Sequence, residues 1–183
     1  MLTRPRSITR ILLAVFMLVV LGSSAMAQEL KSVAIAKDLA AALDAKKLTA
    51  IAAKDPSDPE AFVAAMYFSG SQLLVVAAKY SPAVLLNAKL ANKDYQEIYI
   101  DLNSAAKAGT RVFFEDLGAD GLKPQRQEGK GFDSADIGGK RTTFDDQWRK
   151  DQKISEEQWV TIYADADKIY SRLLAALIKE AKK

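Results

Sequence analysis

Residues 73–102 read LLVVAAKYSPAVLLNAKLANKDYQEIYIDL, and the parsing of this stretch decides the fold. Leu73 to Ala78 is short for a helix and rich in Leu and Val, so it reads as a buried strand. Ser81 offers an N-cap hydroxyl, and Pro82 suits the first helical position, where its missing N–H has no partner anyway. Leu85, Leu86, Ala88, Leu90 and Ala91 keep one face apolar for about three turns. Glu97 to Leu102 then alternates Ile98, Ile100 and Leu102 against Glu97, Tyr99 and Asp101, a strand with one buried face. A strand, a capped helix and a second strand follow from this pattern. Free backbone N–H groups at the helix start, with Lys79 just before it, make this the best anion site in the chain.

Outward from that unit, the N-terminal side opens on an amphipathic helix over Glu29 to Lys47, with Leu30, Val33, Ala34, Leu39 and Leu43 at helical spacing. Leu48 to Ala53 reads as a strand. Asp55-Pro-Ser-Asp-Pro59 is a turn, because its two prolines forbid a ladder and its Asp and Ser side chains bond nearby backbone. Ala61 to Phe68 is a second strand, and Ser69-Gly70-Ser71 reverses the chain into the third. On the C-terminal side, Thr110 to Phe114 is a strand, and Glu97 to Glu115 is expected to form a hairpin. Gly118 to Gly139 carries six glycines with little periodicity; so long a loop signals a flap, a disordered excursion or a missed element. Lys140 to Phe144 is an edge strand. Ser155 with Gln158 forms a capping box for a closing helix, whose stripe runs through Trp159, Ile162, Tyr163, Ala166, Tyr170, Leu173, Leu174, Leu177 and Ile178. That stripe either packs across a barrel formed by the strands or pairs with a second subunit.

Composition bounds the function. Residues 1–27 have a basic start (Arg4, Arg6, Arg10), an apolar run from Ile11 to Leu21 and an Ala25-Met26-Ala27 site. They read as a signal peptide cleaved before Gln28, with a retained anchor as the alternative. The chain has 26 Lys plus Arg and 23 Asp plus Glu. Removing the three leader arginines leaves 23 of each, so the expected mature chain is neutral and has no compositional support for nucleic acid or an anionic membrane. Contact with a membrane is expected only during export, and the destination is the periplasm or the exterior. The chain has no Cys and no His. This excludes disulfides, thiolate nucleophiles, Ser-His-Asp triads, and zinc or haem held through His or Cys. An all-carboxylate metal site, flavin chemistry and catalysis by carboxylate, Lys or Tyr stay open. Residues 28–183 fit a single domain.

The order of elements resembles the FMN-binding split-barrel proteins, the pyridoxamine 5'-phosphate oxidase-like superfamily. The residues carrying the resemblance are LTAIAAKD (48–55), FVAAMYFSGSQLLVVAAKY (62–80), SPAVLLNAKLANKDY (81–95) and EIYIDL (97–102), and it covers roughly Leu48 to Phe114. It implies an α+β fold, a split β-barrel-like antiparallel sheet with flanking helices and the long C-terminal helix. It further implies an FMN phosphate held by Lys79 and Ser81, whose plain alternative is a solvated Lys and a structural N-cap. Arg111, at the start of a strand expected to face this region, is either a second cation for the phosphate or a surface residue. Family members often place a further Lys or Arg just after the serine, where this chain has Pro82 and Ala83. Any enzyme built this way is a flavin-dependent oxidoreductase in which the cofactor carries the redox step. The alternatives are a non-enzymatic envelope protein that has lost the cofactor and contacts a partner through the 118–139 loop or the last helix, and a mainly helical binding domain. A homodimer is compatible with the first two.

Three further groups have bland readings beside the functional ones. Glu115-Asp116 with Asp120 lacks the spacing of a calcium loop and reads as a solvated turn. Asp165 and Asp167 lie two apart on a helix and point to different sides. Tyr67, Tyr80, Tyr95, Tyr99, Phe113 and Trp148 either stack on a planar ligand or belong to the core. No metal site is expected.

Overall fold

The computed structural model describes residues 30–79, 110–124 and 131–183. The expected leader, the helix after Ser81 and the strand Glu97 to Leu102 lie outside them. The described chain is α+β. Helix α1 (Lys31–Ala45) leads into strands β1 (Ala50–Lys54), β2 (Phe62–Phe68), β3 (Gln72–Ala78), β4 (Thr110–Leu117), β5 (Ser134–Ile137) and β6 (Lys140–Thr143). Helices α2 (Asp146–Asp151) and α3 (Glu156–Ala181) close the chain. All six strands pair antiparallel with their sequence neighbours, in the order β1-β2-β3-β4-β5-β6. The sheet is not closed into a barrel: among the described strands β1 and β6 are its edges.

The continuous apolar runs of β2 and β3 follow from burial on both faces. Val63, Ala65, Tyr67, Leu73, Val75, Ala77, Val112 and Phe114 point toward α1 and α3 and share their core. The alternate residues Ala64, Met66, Leu74, Val76, Ala78 and Phe113 form a second apolar cluster, with Met66 and Leu74 only 1% exposed. A strand covered on both faces has no need of polar alternation.

The turns are built as their residues dictate. The Asp55 carboxylate accepts from the Ser57 backbone N–H at 2.8 Å and from the Ser57 hydroxyl at 2.6 Å, which fixes the turn between the prolines. Gly138 and Gly139, with φ of 62° and 80°, make the two-residue reversal between β5 and β6. Two expectations change here. The Gly118 to Gly139 stretch is not one loop, because it holds β5, a four-residue strand of which two residues are polar or charged and which leaves no periodic signal. The hairpin expected over Glu97 to Glu115 gives way on the β4 side: β4 pairs with β3 and, over Val112 to Glu115, with β5, so both its edges are taken there.

Helix α3 begins at the expected capping box. The Ser155 hydroxyl accepts from the Gln158 N–H at 3.2 Å, and the Gln158 side chain accepts from the Ser155 N–H at 3.0 Å. Its stripe of Trp159, Ala166, Tyr170, Leu173, Leu174 and Leu177 is buried against the sheet and α1. Trp148 on α2 stacks toward Trp159, ring centroids 6.3 Å apart, which accounts for an aromatic residue in a charged stretch. At α1, Leu30 supplies no side-chain cap. The Asp167 carboxylate from α3 does so instead, accepting the Ser32 N–H at 3.1 Å.

Candidate functional site

Two places hold charged chemistry. The first is the end of β3. Lys79 follows the last residue of that strand, and its side chain is 51% exposed. Its ammonium lies 2.6 Å from Glu60 and 4.0 Å from Asp58, both in the turn between β1 and β2. Ser81 lies outside the described residues. On β4, the register with β3 shifts between Ala77 and Ala78, which pair with Val112 and Thr110. Arg111 occupies the extra position, a β-bulge in the backbone beside the strand end that carries Lys79. An exposed ion pair such as Lys79–Glu60 is worth about 0–1 kcal/mol, so an anion with several oxygens could compete for that ammonium.

The second place was not singled out from the sequence. Adjacent residues of a strand point to opposite faces, and the end of β4 divides its acids accordingly. Glu115 accepts from Ser134 and Arg141 at 2.8 Å each and from the Gln72 side chain at 3.4 Å. Asp116 turns toward the helices and is completely buried, as is Asp133 just before β5. The expected solvated turn is therefore corrected at Asp116. Its Oδ2 accepts from the Tyr170 hydroxyl at 2.8 Å and the Gly121 N–H at 2.9 Å, and its Oδ1 from the Asp120 N–H at 3.1 Å. Asp133 accepts the Leu117 and Lys123 N–H groups, one on each oxygen, at 2.7 Å. The Ser32 hydroxyl accepts from the Leu122 N–H at 3.2 Å, and the Tyr163 hydroxyl donates to the Leu122 carbonyl. Backbone donors of residues 117 and 120–123 thus all end on side chains, locally on Asp116 for residues 120 and 121 and on Asp133 or Ser32 for the others.

Burial sets the protonation of this cluster. It raises the Asp116 carboxyl to about 6 against the hydrogen bond from Tyr170. It raises the Asp133 carboxyl to about 8, helped by the nearby charge of Asp116. The Tyr163 and Tyr170 phenols are likewise pushed up, first by burial and then by neighbouring carboxylates, so they stay neutral donors. Asp120 pairs with Lys123 at the rim. The arrangement holds protons and fixes a loop. The Asp116 and Asp133 carboxyls are both turned away from solvent.

Comparison with protein-family models, curated proteins and solved structures finds no match to this chain. Among the described residues no group of three or more carboxylates is placed to hold a metal ion, and no helix is long and apolar enough to cross a membrane.

The structure separates the remaining sequence candidates. Asp167 is buried while Asp165 is exposed, as their spacing on α3 requires. Tyr67 lies in the core with its hydroxyl donating to Asp44 at 2.8 Å, and Phe113 belongs to the second apolar cluster. Tyr80, Tyr95 and Tyr99 lie outside the described residues. Asp133 and Tyr170 were missed as polar partners. A signal did exist in α3: Asp167 shares the stripe of Tyr163, Ala166 and Tyr170, where an acid must find a donor.

Proposed function

We propose that this chain is an exported domain that binds a phosphorylated planar ligand, FMN being the foremost candidate, where β3 ends and β4 begins. The observation that supports the reading is the register at the bulge, which brings the Arg111 backbone beside the end of the strand that carries Lys79. Two cationic positions 32 residues apart in sequence would then serve one anion, with Ser81 two residues after Lys79 in sequence as a further donor. If the protein is an enzyme, the flavin supplies the redox chemistry and these residues position it. An absorbance spectrum of protein purified from a periplasm, followed by FMN titration, tests this. Yellow protein, or FMN fluorescence quenched on binding and lost in Lys79→Ala and Ser81→Ala, supports it. Colourless protein whose melting temperature ignores saturating FMN rejects it.

The ion pairs of Lys79 with Glu60 and Asp58 favour a second reading, an envelope protein that contacts a partner without a cofactor. Removing the whole 118–139 stretch cannot test it, because Asp133 and β5 are part of the fold. Substituting Gln125 to Lys130 with Gly and Ser is the suitable change. Capture of an envelope partner by the parent that vanishes in the substituted protein supports this reading, and unchanged capture counts against it.

A further inference from the structure

Asp116 and Asp133 together clasp one short loop. The donors that reach their carboxyl oxygens are backbone N–H groups and the Tyr170 phenol, all of them neutral. The charged and titratable groups around them come from every packed element. The loop contributes Asp120 and Lys123, which pair with each other. Helix α3 contributes Tyr163, Tyr170 and Asp167, the last held by the Ser32 N–H of α1. Glu115 bonds Arg141, Ser134 and Gln72. The two cations among these groups, Lys123 and Arg141, are each matched to another acid, Asp120 and Glu115.

Two neighbouring carboxyls without a cation of their own cannot both ionise cheaply in a buried site. We propose that Asp116 and Asp133 are a proton-dependent latch: with a proton retained they hold residues 117–123 against α1 and α3, and full ionisation loosens that hold. The raised values of both carboxyls, about 6 and about 8, set the latch near neutrality. The loop carries strain at Ala119, a non-glycine residue with φ +54°, whereas Gly118 and Gly121 take positive φ freely. The inference is independent of any flavin, because the latch and the β3 end share no residue.

Amide hydrogen exchange between pH 5.5 and 8.5, corrected for intrinsic base catalysis, tests it, together with carbon-13 titration of the Asp carboxyls. The expected result is a loss of at least tenfold in protection at Asp120, Gly121 and Lys123, with Val75 and Val76 in β3 unchanged. The Asp116 and Asp133 carboxyl signals should move in the same window, and Asp133→Asn should flatten the dependence at Gly121. Protection that does not change with pH, carboxyl signals that titrate only below pH 5, or equal loss across β3 would each overturn the latch. If Asp133→Asn does not fold, the measurements on the parent protein decide alone.

Discussion

Gly121 shows how one residue can be fixed by a distant part of the chain. Its φ is +90°, and a Cβ placed on it would lie 2.5 Å from the Val33 backbone Cα. The same residue donates its N–H to Asp116, so the loop can approach α1 only because no side chain intervenes. Positive φ in a non-glycine residue costs about 1–3 kcal/mol, and forcing atoms into filled space adds about 1–3 more. Gly121→Ala should therefore lower unfolding stability by about 2–6 kcal/mol in urea. Gly70→Ala is the control, having φ +68° but nothing within 4 Å of its Cβ, and should cost about 1 kcal/mol. Equal losses would show that the approach to Val33 is relaxed in solution. From the sequence, Gly118 and Gly121 were visible as turn residues beside acids, but Val33 lies 88 positions away and no local pattern points to it.

At the scale of elements, the long α3 both packs the core and completes a neighbour. Its own start is secured locally by Ser155 and Gln158, an exposed pair. Among the described residues, the side chain that caps the start of α1 is that of Asp167, which is buried. Loss of an exposed cap costs about 1 kcal/mol, whereas orphaning a buried N–H costs about 1–3. Asp167→Ala should thus destabilise more than Ser155→Ala. Helical hydrogen exchange should separate them, Asp167→Ala raising exchange in the first turn of α1 and Ser155→Ala in the first turn of α3. Identical exchange patterns would mean that Asp167 does not cap α1. The helices were legible because amphipathic period and caps are local: α1 was expected over Glu29 to Lys47 and spans Lys31–Ala45, and the α3 cap falls at the expected serine. β5 and α2 were not legible, since four and six residues leave too few periods to read. Asp116 was misplaced because exposure of an acid at a turn is the ordinary outcome, and only the tertiary donors Tyr170 and Gly121 make its burial tolerable.

For the whole molecule, the alternation of short apolar runs, turn residues and two long amphipathic stretches was enough for an α+β chain with an antiparallel sheet. It was not enough for closure, because joining the outer strands of a sheet depends on pairing between distant segments. Global stability should carry the signature of the buried pair. Asp116 and Asp133 have folded values of about 6 and about 8 against an ordinary 3.8. Between these limits the native state binds more protons than the unfolded chain, so stability falls as pH rises, by about 1.4 kcal/mol per pH unit for each carboxyl while it is the titrating group. Below about pH 4 both states are protonated and the contribution is fully present. Asp146, lowered by hydrogen bonds from Lys150 and then Arg149 at the surface, acts in the opposite sense, and its contribution is lost as pH drops below the usual carboxylate range. On these groups the stability maximum should accordingly fall near pH 4. The urea midpoint at pH 5 should exceed that at pH 8.5, and Asp133→Asn should reduce the difference by removing the group that titrates highest. A midpoint that is level or higher at pH 8.5 would mean that the folded state accommodates both carboxylates ionised, and that the hydrogen bonds from Leu117, Lys123, Gly121 and Tyr170 outweigh their desolvation.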